Sequence, residues 1–457
     1  MSNNTKKEAD LGNDRIGGLL FKLALPAILA QVINLLYNLV DRMYIGHIPG
    51  EGSAALTGVG VTMPVIMCIS AFAALVSMGG APRASIMMGK GQQGQAECIL
   101  GNCTAMLIIV ALVLTGIIQL WGKEILMVFG ASDLTIPYAW SYMQIYSIGT
   151  IFVQLALGLN AFINAQGFAK TGMLTVVIGA VCNIILDPVF IFGFHMGVRG
   201  AALATILSQC VSCVWIVVFL LGKRTTLRLS FKNMALKPAI IGPCIALGIA
   251  PFIMQFTESV LNICFNTSLL KYGGDVAVGS MTILSSIMQM SMLPIQGLTQ
   301  GAQPIVGFNY GAKKIERVKS AFRLLLLSCI GFTLLIWLIC MLTPQLFIGI
   351  FTSNTELMQF SKWAVRIYMA CSLLMGVQIA CQQTFIALGN ARTSVFLALL
   401  RKVLLLIPLI YILPHFFANK VFAVFLAEPV ADFVAVTMTA ILFFREYRRL
   451  DKEILKK

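Results

Sequence analysis

Three carboxylates lie deep inside long apolar stretches of the sequence, where lipid or protein should surround them. They are Asp41, Asp187 and Glu258. An ionised carboxylate at the centre of a bilayer costs about 2.5 to 3.5 kcal/mol on insertion scales, so each acid needs a partner, a proton or a water-filled cavity. Acids in such surroundings typically bind ions or substrates. The sequence shows no partner for Glu258.

Two of these acids share a layer with other polar side chains. Asn183 precedes Asp187 by four residues in the segment NIILDP, so both project from one helix face, a turn apart. Asp41, Asp187 and Thr205 each lie about five to seven residues from the same end of their apolar runs. At 1.5 Å per residue, all three fall about 7 to 11 Å below one membrane surface. We therefore expect them to meet in one site.

Carboxylates, carboxamides and hydroxyls are hard oxygen donors, which suit a sodium ion. Two neighbouring carboxylates also suit a shared proton, because like charge and burial favour the protonated form of one of them. We predict a cation-coupling site of Asp41, Asn183, Asp187 and Thr205 that takes a proton or Na⁺, with no other cofactor. The alternative stays open that Asp41 pairs with Arg42 or caps its helix, and that Asn183 only bonds across helices.

Aromatic and soft side chains indicate a substrate cavity beside this site. Tyr37 lies one turn before Asp41, and methionine recurs in the eighth predicted helix. Aromatic faces attract organic cations, and methionine adapts to varied ligands. For methionine, packing against lipid or a neighbouring helix is the alternative. The predicted lining consists of Tyr37, Tyr142, Asn160, Glu258 and Met288.

The composition requires lipid as the solvent around these residues. The 457 residues are 58% hydrophobic and 11% charged, with a mean hydropathy of +0.88, which excludes a water-soluble protein. Apolar runs long enough to cross a hydrocarbon core of about 30 Å recur along the whole chain. They predict an all-α membrane protein with twelve transmembrane helices at residues 16–46, 54–80, 98–120, 136–164, 171–194, 199–222, 239–268, 276–302, 316–342, 362–388, 394–415 and 420–444.

The net charge of +15 reflects topology. With the amino terminus in the cytoplasm, the inward-facing segments and the helix ends next to them hold 22 Lys and Arg residues, and the outward loops and their helix ends hold 5. This asymmetry follows the positive-inside rule and predicts that both termini are cytoplasmic. It also argues against nucleic acid as a partner. The first 15 residues are polar and the first apolar run is too long for a signal peptide, so we expect it to be retained.

The chain divides into two similar halves. Residues 82–89 are echoed by residues 304–311 at an offset of 222, and the same offset relates residues 167–171 to residues 389–393. Six helices return the chain to its starting side, so the halves form a parallel repeat with a pseudo-two-fold axis along the membrane normal. The predicted parts are a tail (1–15), an N-lobe (16–222), a basic linker (223–238), a C-lobe (239–444) and a second tail (445–457).

The residues usually found in catalytic sites are not grouped in this sequence. The 12 cysteines lie almost wholly in apolar runs, and one C-x-x-C, Cys210 to Cys213, has no histidine nearby. His47, His195 and His415 lie at helix ends or in loops, without a matching motif. We expect a transporter, and a membrane-embedded transferase is the competing class.

The sequence resembles the multidrug and toxic compound extrusion (MATE) family along nearly its full length. The resemblance rests on LALPAILAQVINLLYNLVDRMYIG, AFINAQGFAKTG, NIILDPVFIFGF and LPIQGLTQGAQPIVGFNYGAKK. It is greatest to the bacterial branch with an aspartate in helix 1 and N-x-x-x-D-P in helix 5. The resemblance implies a V-shaped exporter of two six-helix lobes, with cationic drugs as substrates. In that branch the N-lobe cation site falls on Asp41, Asn183, Asp187 and Thr205, and drug-cavity residues match Tyr142 and Asn160.

Departures from the family pattern predict that the coupling site lies in the N-lobe only. Where other branches have an acid in helix 10, this chain has Gln378, Gln382 and Gln383, and helix 11 has no acid. The expected function is export of organic cations in exchange for protons or sodium ions, by alternating access. The alternative is a flippase for a lipid-linked precursor, or another exporter of amphipathic metabolites. We expect a monomer in the bacterial inner membrane, with cationic amphiphiles and the lipid bilayer as partners.

Overall fold

Helices account for almost all of the residues that the computed structural model describes, 9–352 and 354–455. The N-terminal half contains α1 (Ile16–Gly46), α2 (Gly52–Gly89), α3 (Gln93–Val128), α4 (Ile136–Ile148 and Thr150–Ala165), α5 (Ala169–Gly193) and α6 (Val198–Leu221). The C-terminal half contains α7 and α8 (together Pro238–Gly311), α9 (Ile315–Leu342), α10 (Thr355–Tyr368 and Ser372–Ala387), α11 (Ala391–His415) and α12 (Lys420–Leu455).

Two features reconcile these helices with twelve membrane spans. The run Pro238–Gly311 has 74 residues, far more than one crossing needs, and its backbone breaks at Gly274 (φ 65°, ψ −162°). Only glycine adopts this conformation readily, so Gly274 separates α7 from α8. α4 and α10 each consist of two helices bent by 60° and 48°, and each pair forms one span. The predicted twelve-helix fold is confirmed for the described part of the chain.

Several helices are longer than the apolar runs that predicted them. α2 ends at Gly89 and α3 begins at Gln93, whereas the predictions were 54–80 and 98–120. The added turns of α2, residues 81–89, are mostly buried against protein, whereas the added ends of α3 are mostly exposed. Hydropathy therefore located the apolar part of each helix but underestimated the length over which the backbone forms helical hydrogen bonds.

Among the described residues, the buried apolar clusters that join the two halves lie toward one end of the molecule. This end carries both described chain ends, and we call it the termini end. There, one buried cluster combines Leu19 and Leu23 of α1 with Ile305 and Phe385 of the other half, and a second includes Cys244 of α7 among residues of α2 to α6. At the opposite end, two further clusters are each confined to one half. The halves are thus lobes that meet at the termini end and have separate cores at the opposite end.

Glycines allow the lobes to approach closely at the termini end. A Cβ atom at Gly248 of α7 would lie 1.7 Å from the carbonyl oxygen of Leu75 in α2. A Cβ atom at Gly311 of α8 would lie 2.0 Å from the carbonyl oxygen of Ile86. No larger residue fits between these backbones. Further from the termini end, α2 and α7 still touch at Phe72 and Phe252, whose ring centroids are 5.1 Å apart.

The segment before α1 is also part of the lobe interface. Leu11 is 5% exposed, and its carbonyl oxygen accepts a hydrogen bond from Asn309 Nδ2 at 2.8 Å. Arg317 donates to the carbonyl oxygen of Asp14 at 2.7 Å. Residues 9–15 of the predicted N-terminal tail are therefore packed against the C-lobe, while residues 1–8 and 456–457 of the two predicted tails lie outside the described residues.

The predicted linker 223–238 packs on the N-lobe. The side-chain oxygen of Gln166 accepts hydrogen bonds from the backbone N–H groups of Thr226 and Leu227 at 2.9 and 2.7 Å. Asn102 Nδ2 donates to the carbonyl oxygen of Asn233 at 3.0 Å. These bonds hold the connection between the lobes against the termini end of α3 and α4.

Candidate functional site

The four residues of the predicted coupling site come together in the N-lobe. Asn183 Nδ2 donates to Asp187 Oδ1 at 3.2 Å and lies 3.5 Å from Thr205 Oγ1 of α6. The carboxyl groups of Asp41 in α1 and Asp187 in α5 lie within hydrogen-bonding reach of each other. Asp187 is 0% exposed and Asp41 is 7% exposed. The tertiary fold thus unites one layer of polar groups from three helices.

Three oxygen atoms in this cluster are buried without a hydrogen-bond partner. They are Asp41 Oδ1, Asp187 Oδ2 and Asn183 Oδ1. Buried polar atoms are nearly always hydrogen-bonded, so such a group of acceptors points to a proton or cation that completes the site. The described residues contain no group of three His, Cys, Asp or Glu side chains placed to hold a metal. Two carboxylates with an amide and a hydroxyl form a different donor set, which fits a proton or Na⁺.

A cavity that is open to solvent adjoins this cluster, with about 500 Å³ of space including its mouth. Four helices surround it, and its lining is mostly small or polar. Tyr37 and Asn160 line it, as predicted for a substrate cavity, and Asn183 and Thr205 separate it from the two acids. Its other lining residues are Asn34, Ala156, Leu157, Thr175, Val176, Gly179, Ala180, Ser208, Gln209 and Ser212.

Tyr142 and Met288 do not line this cavity. Tyr142 is 3% exposed, lies beside Thr205, and stacks on Tyr146 with ring centroids 5.9 Å apart. It belongs to a buried cluster of the N-lobe and contacts Thr205 of the candidate site. Met288 packs against a buried cluster of the C-lobe, which agrees with the alternative that it contacts neighbouring helices.

The helix geometry changes where α5 presents its acid. α-helical bonding ends at Pro188, and the next five residues, Val189–Gly193, form a π-helical turn. Proline provides no amide hydrogen, so the usual bonding pattern cannot continue through it. π-helical turns within α-helices are frequent at functional sites. The turn directly adjoins Asp187.

Glu258 does not belong to the N-lobe site and has a partner that the sequence analysis missed. Its carboxylate contacts the ammonium group of Lys402 in α11. The neighbouring Arg401 donates to Asp432 Oδ1 at 2.7 Å and to Glu428 Oε1 at 3.0 Å. The prediction of only three deeply placed acids was therefore wrong, because Glu428 and Asp432 of α12 are 5% and 2% exposed.

Spacing in the sequence could have revealed this C-lobe network. Glu428 and Asp432 lie four residues apart in an apolar run, on one helix face, and Arg401 and Lys402 interrupt another apolar run. Charged residues at such positions imply partners in the bundle interior. The network uses α7, α11 and α12, which are the repeat counterparts of α1, α5 and α6. Each lobe therefore builds an ionisable cluster on equivalent helices, with acids alone in one lobe and paired charges in the other.

Known proteins resemble this chain over its whole length. The MatE family model matches residues 26–189 and 251–412, one segment in each lobe. The multidrug export protein MepA of Staphylococcus haemolyticus (strain JCSC1435) is 23% identical over 415 residues, covering 90% of this chain and 91% of that protein. MepA of Staphylococcus aureus (strain MSSA476) is 23% identical over 427 residues, covering 92% of each chain.

Solved structures give the same assignment. A MATE protein in the bent conformation superposes with a TM-score of 0.90 at 21% identity, covering 99% of both chains. The MATE multidrug transporter DinF-BH, in complex with the dye rhodamine 6G, superposes with a TM-score of 0.86 at 31% identity, covering 96% of this chain and 98% of the other. From the duplicated family match and the shared twelve-helix fold, the chain is a multi-pass membrane transporter that belongs to the MatE family.

Proposed function

We propose that this protein exports organic cations in exchange for protons or sodium ions. The relatives described above are named as multidrug export proteins, and one solved structure is a complex with rhodamine 6G. The observation that carries the exchange part of the proposal is the group of three buried, unpartnered oxygens on Asp41, Asp187 and Asn183. A sodium ion bound there would coordinate all three, whereas a proton shared by the two carboxylates would satisfy two of them.

The cavity beside the acids would hold the substrate next to the ion site, so that each ligand affects the binding of the other. Aromatic Tyr37 and the amides of Asn160 and Asn183 surround a space large enough for part of an organic cation. The two acids at its end attract positive charge. When a proton or sodium ion occupies their site, the negative charge that holds the organic cation falls. The two ligands therefore compete, and ion entry favours substrate release.

In transport by alternating access, the lobes would separate at the termini end and come together at the opposite end. The apolar clusters join the lobes at the termini end, so the cleft opens at the opposite end. The positive-inside asymmetry supports cytoplasmic termini in a protein of the bacterial inner membrane, and with that orientation this conformation would face outward. Ions would enter and substrate would leave from it. We propose a monomer as the transport unit, with cationic amphiphiles and the bilayer as its partners.

The test is equilibrium binding of rhodamine 6G to purified protein across pH and sodium concentration. Competition between two ligands is reciprocal, and typical coupling energies of about 1 to 3 kcal/mol correspond to about 5- to 150-fold changes in affinity. We expect rhodamine 6G affinity to fall as proton or sodium concentration rises. The Asp41→Asn variant, which removes one acid without changing its size, should flatten this dependence.

An affinity that stays constant in both titrations, with wild type and Asp41→Asn alike, would contradict antiport even though the family assignment stands. A flippase for an anionic lipid-linked precursor would instead need a large cationic cavity. Among the described residues, the buried bases Arg401 and Lys402 are each paired with acids, whereas Asp41 and Asp187 form no ion pair. This distribution favours cations as substrates.

A further inference from the structure

The ion pair between Glu258 and Lys402 lies where the C-lobe meets the other lobe. Ser259, the next residue on α7, lies against Met67 of α2, with Oγ and Sδ 3.9 Å apart. The side chain of Glu258 is 55% exposed, whereas that of Lys402 is 4% exposed. The pair therefore has an accessible acidic half and a buried basic half.

A second cavity adjoins Lys402, the buried half of this pair; it is open to solvent and has about 380 Å³ of space including its mouth. Lys402 and Arg401 line it together with three glutamines, Gln378, Gln382 and Gln383. Gln382 is 2% exposed and donates to the carbonyl oxygen of Ser394 at 2.9 Å, but its own side-chain oxygen has no partner. The cavity wall thus offers a buried ammonium group as a donor and the side-chain oxygen of Gln382 as an acceptor for a ligand.

The acids near this cavity other than Glu258 already form ion pairs with Arg401. Its guanidinium group binds Asp432 and Glu428, and neither acid lines the cavity. Lys402 has one carboxylate partner, Glu258, and a carbonyl oxygen, that of Met254 at 3.3 Å. Of the two bases that line this cavity, Lys402 is therefore the one that a ligand can bind after a single ion pair is broken.

The charges of Glu258 and Lys402 determine which ligand can separate this pair without leaving a buried charge unpaired. A simple cation that binds Glu258 leaves the ammonium group of Lys402 buried without a partner, and such a group is strongly destabilising. A simple anion on Lys402 leaves Glu258 without its partner. A ligand with both charges replaces one ion pair by two, and no buried charge is left unpaired.

We propose that the Glu258–Lys402 pair and the glutamine-lined cavity form a binding site for zwitterionic amphiphiles. The cationic group of the substrate binds Glu258, and its carboxylate binds Lys402 in the cavity. This proposal rests on the proposed export function and adds a class of substrate to it. It gives the C-lobe a role in substrate selection, while the N-lobe carries the coupling ion.

Two dyes that differ at one group test the proposal. Rhodamine 6G is a cationic ethyl ester, and rhodamine 19 is the corresponding free acid, a zwitterion at neutral pH. Binding of each dye to purified protein would be measured by fluorescence polarisation. In Lys402→Met we expect the affinity for rhodamine 19 to fall by about 10-fold or more, since a buried charge partner is lost. The affinity for rhodamine 6G should rise, because Glu258 becomes free.

Two variants complete the design. Lys402→Arg keeps the positive charge and should retain binding of rhodamine 19. Lys271→Met makes the same change at an exposed position near the end of α7 and should match wild type with both dyes. Equal changes for both dyes in Lys402→Met, or a loss confined to rhodamine 6G, would overturn the proposed site. Failure of the wild type to bind or export either dye would instead contradict the proposed function.

Discussion

Asp187 is the residue on which the proposed coupling site depends most. It is fully buried, accepts a hydrogen bond from Asn183 and faces Asp41. Asp187→Asn keeps the shape of the side chain and removes its charge. We expect export of rhodamine 6G from everted vesicles, driven by a pH or sodium gradient, to fall at least about 10-fold, because loss of a buried charge partner typically costs about 2 kcal/mol or more.

Asp133→Asn provides the matched control for this prediction. Asp133 is exposed in the connection between α3 and α4, far along the chain from the site. The same chemical change there should leave transport at the wild-type rate. Normal transport by Asp187→Asn at normal expression would show that coupling occurs elsewhere.

At the residue scale, sequence reasoning found the N-lobe site because its members share one depth. Helical rise converts position in an apolar run into depth, so Asp41, Asp187 and Thr205 could be placed in one layer. The orientation of each helix about its axis cannot be obtained this way. Tyr142 was therefore assigned to the cavity, although it lies behind Thr205.

At the element scale, α5 and α11 are equivalent helices of the two repeats that share a π-helical turn but carry different charged residues. Both contain π-helical turns, Val189–Gly193 in α5 and Leu400–Leu406 in α11. The turn in α5 follows an acid, and the turn in α11 contains Arg401 and Lys402. The shared geometry supports a polar cluster in each lobe, and the side chains determine whether that cluster is acidic or internally paired.

Close packing between α2 and α7 gives a prediction for the lobe interface. In Gly248→Ala, the added Cβ would meet the backbone of Leu75, so we expect the contact at the termini end to be forced apart. Overpacking of this kind costs about 1 to 3 kcal/mol. The midpoint of thermal unfolding in detergent should fall by several degrees, and export of rhodamine 6G should slow.

The control for this change lies on the same helix. At Gly242 an added Cβ would have no neighbour within 4 Å, so Gly242→Ala should preserve both stability and transport. An unfolding midpoint that is equal in the two variants would mean that the close approach at Gly248 does not hold the lobes together.

At the scale of the whole molecule, the charge distribution predicts the orientation in the membrane. The segments and helix ends on the side of the termini hold 22 basic residues, and those on the opposite side hold 5. Green fluorescent protein fused after residue 457 should fluoresce, and alkaline phosphatase fused at the same point should be inactive. Alkaline phosphatase fused after residue 271, between α7 and α8, should be active. The reverse pattern would place the cleft on the cytoplasmic side.

The unpaired acids of the N-lobe predict charge selectivity for the whole transporter. Expression in a host without its own efflux pumps should raise resistance to ethidium more than to an anionic drug of similar size, because Asp41 and Asp187 attract positive charge. Minimum inhibitory concentrations provide the measurement. Equal protection against both drugs, or stronger protection against the anion, would favour the flippase alternative.

The sequence by itself determined the solvent, the number of spans, the repeat and the depth of the N-lobe acids. These properties depend on local composition and helical rise, which act over a few turns of chain. Only the tertiary structure decided which polar groups meet across helices. Glu258 meets Lys402 across 144 positions of sequence, and Gly248 meets Leu75 across two lobes. Such contacts depend on the rotation of each helix about its axis and on how the lobes pack. Local sequence does not determine them, because the partner of a buried charge or of a closely packed backbone comes from a distant part of the chain.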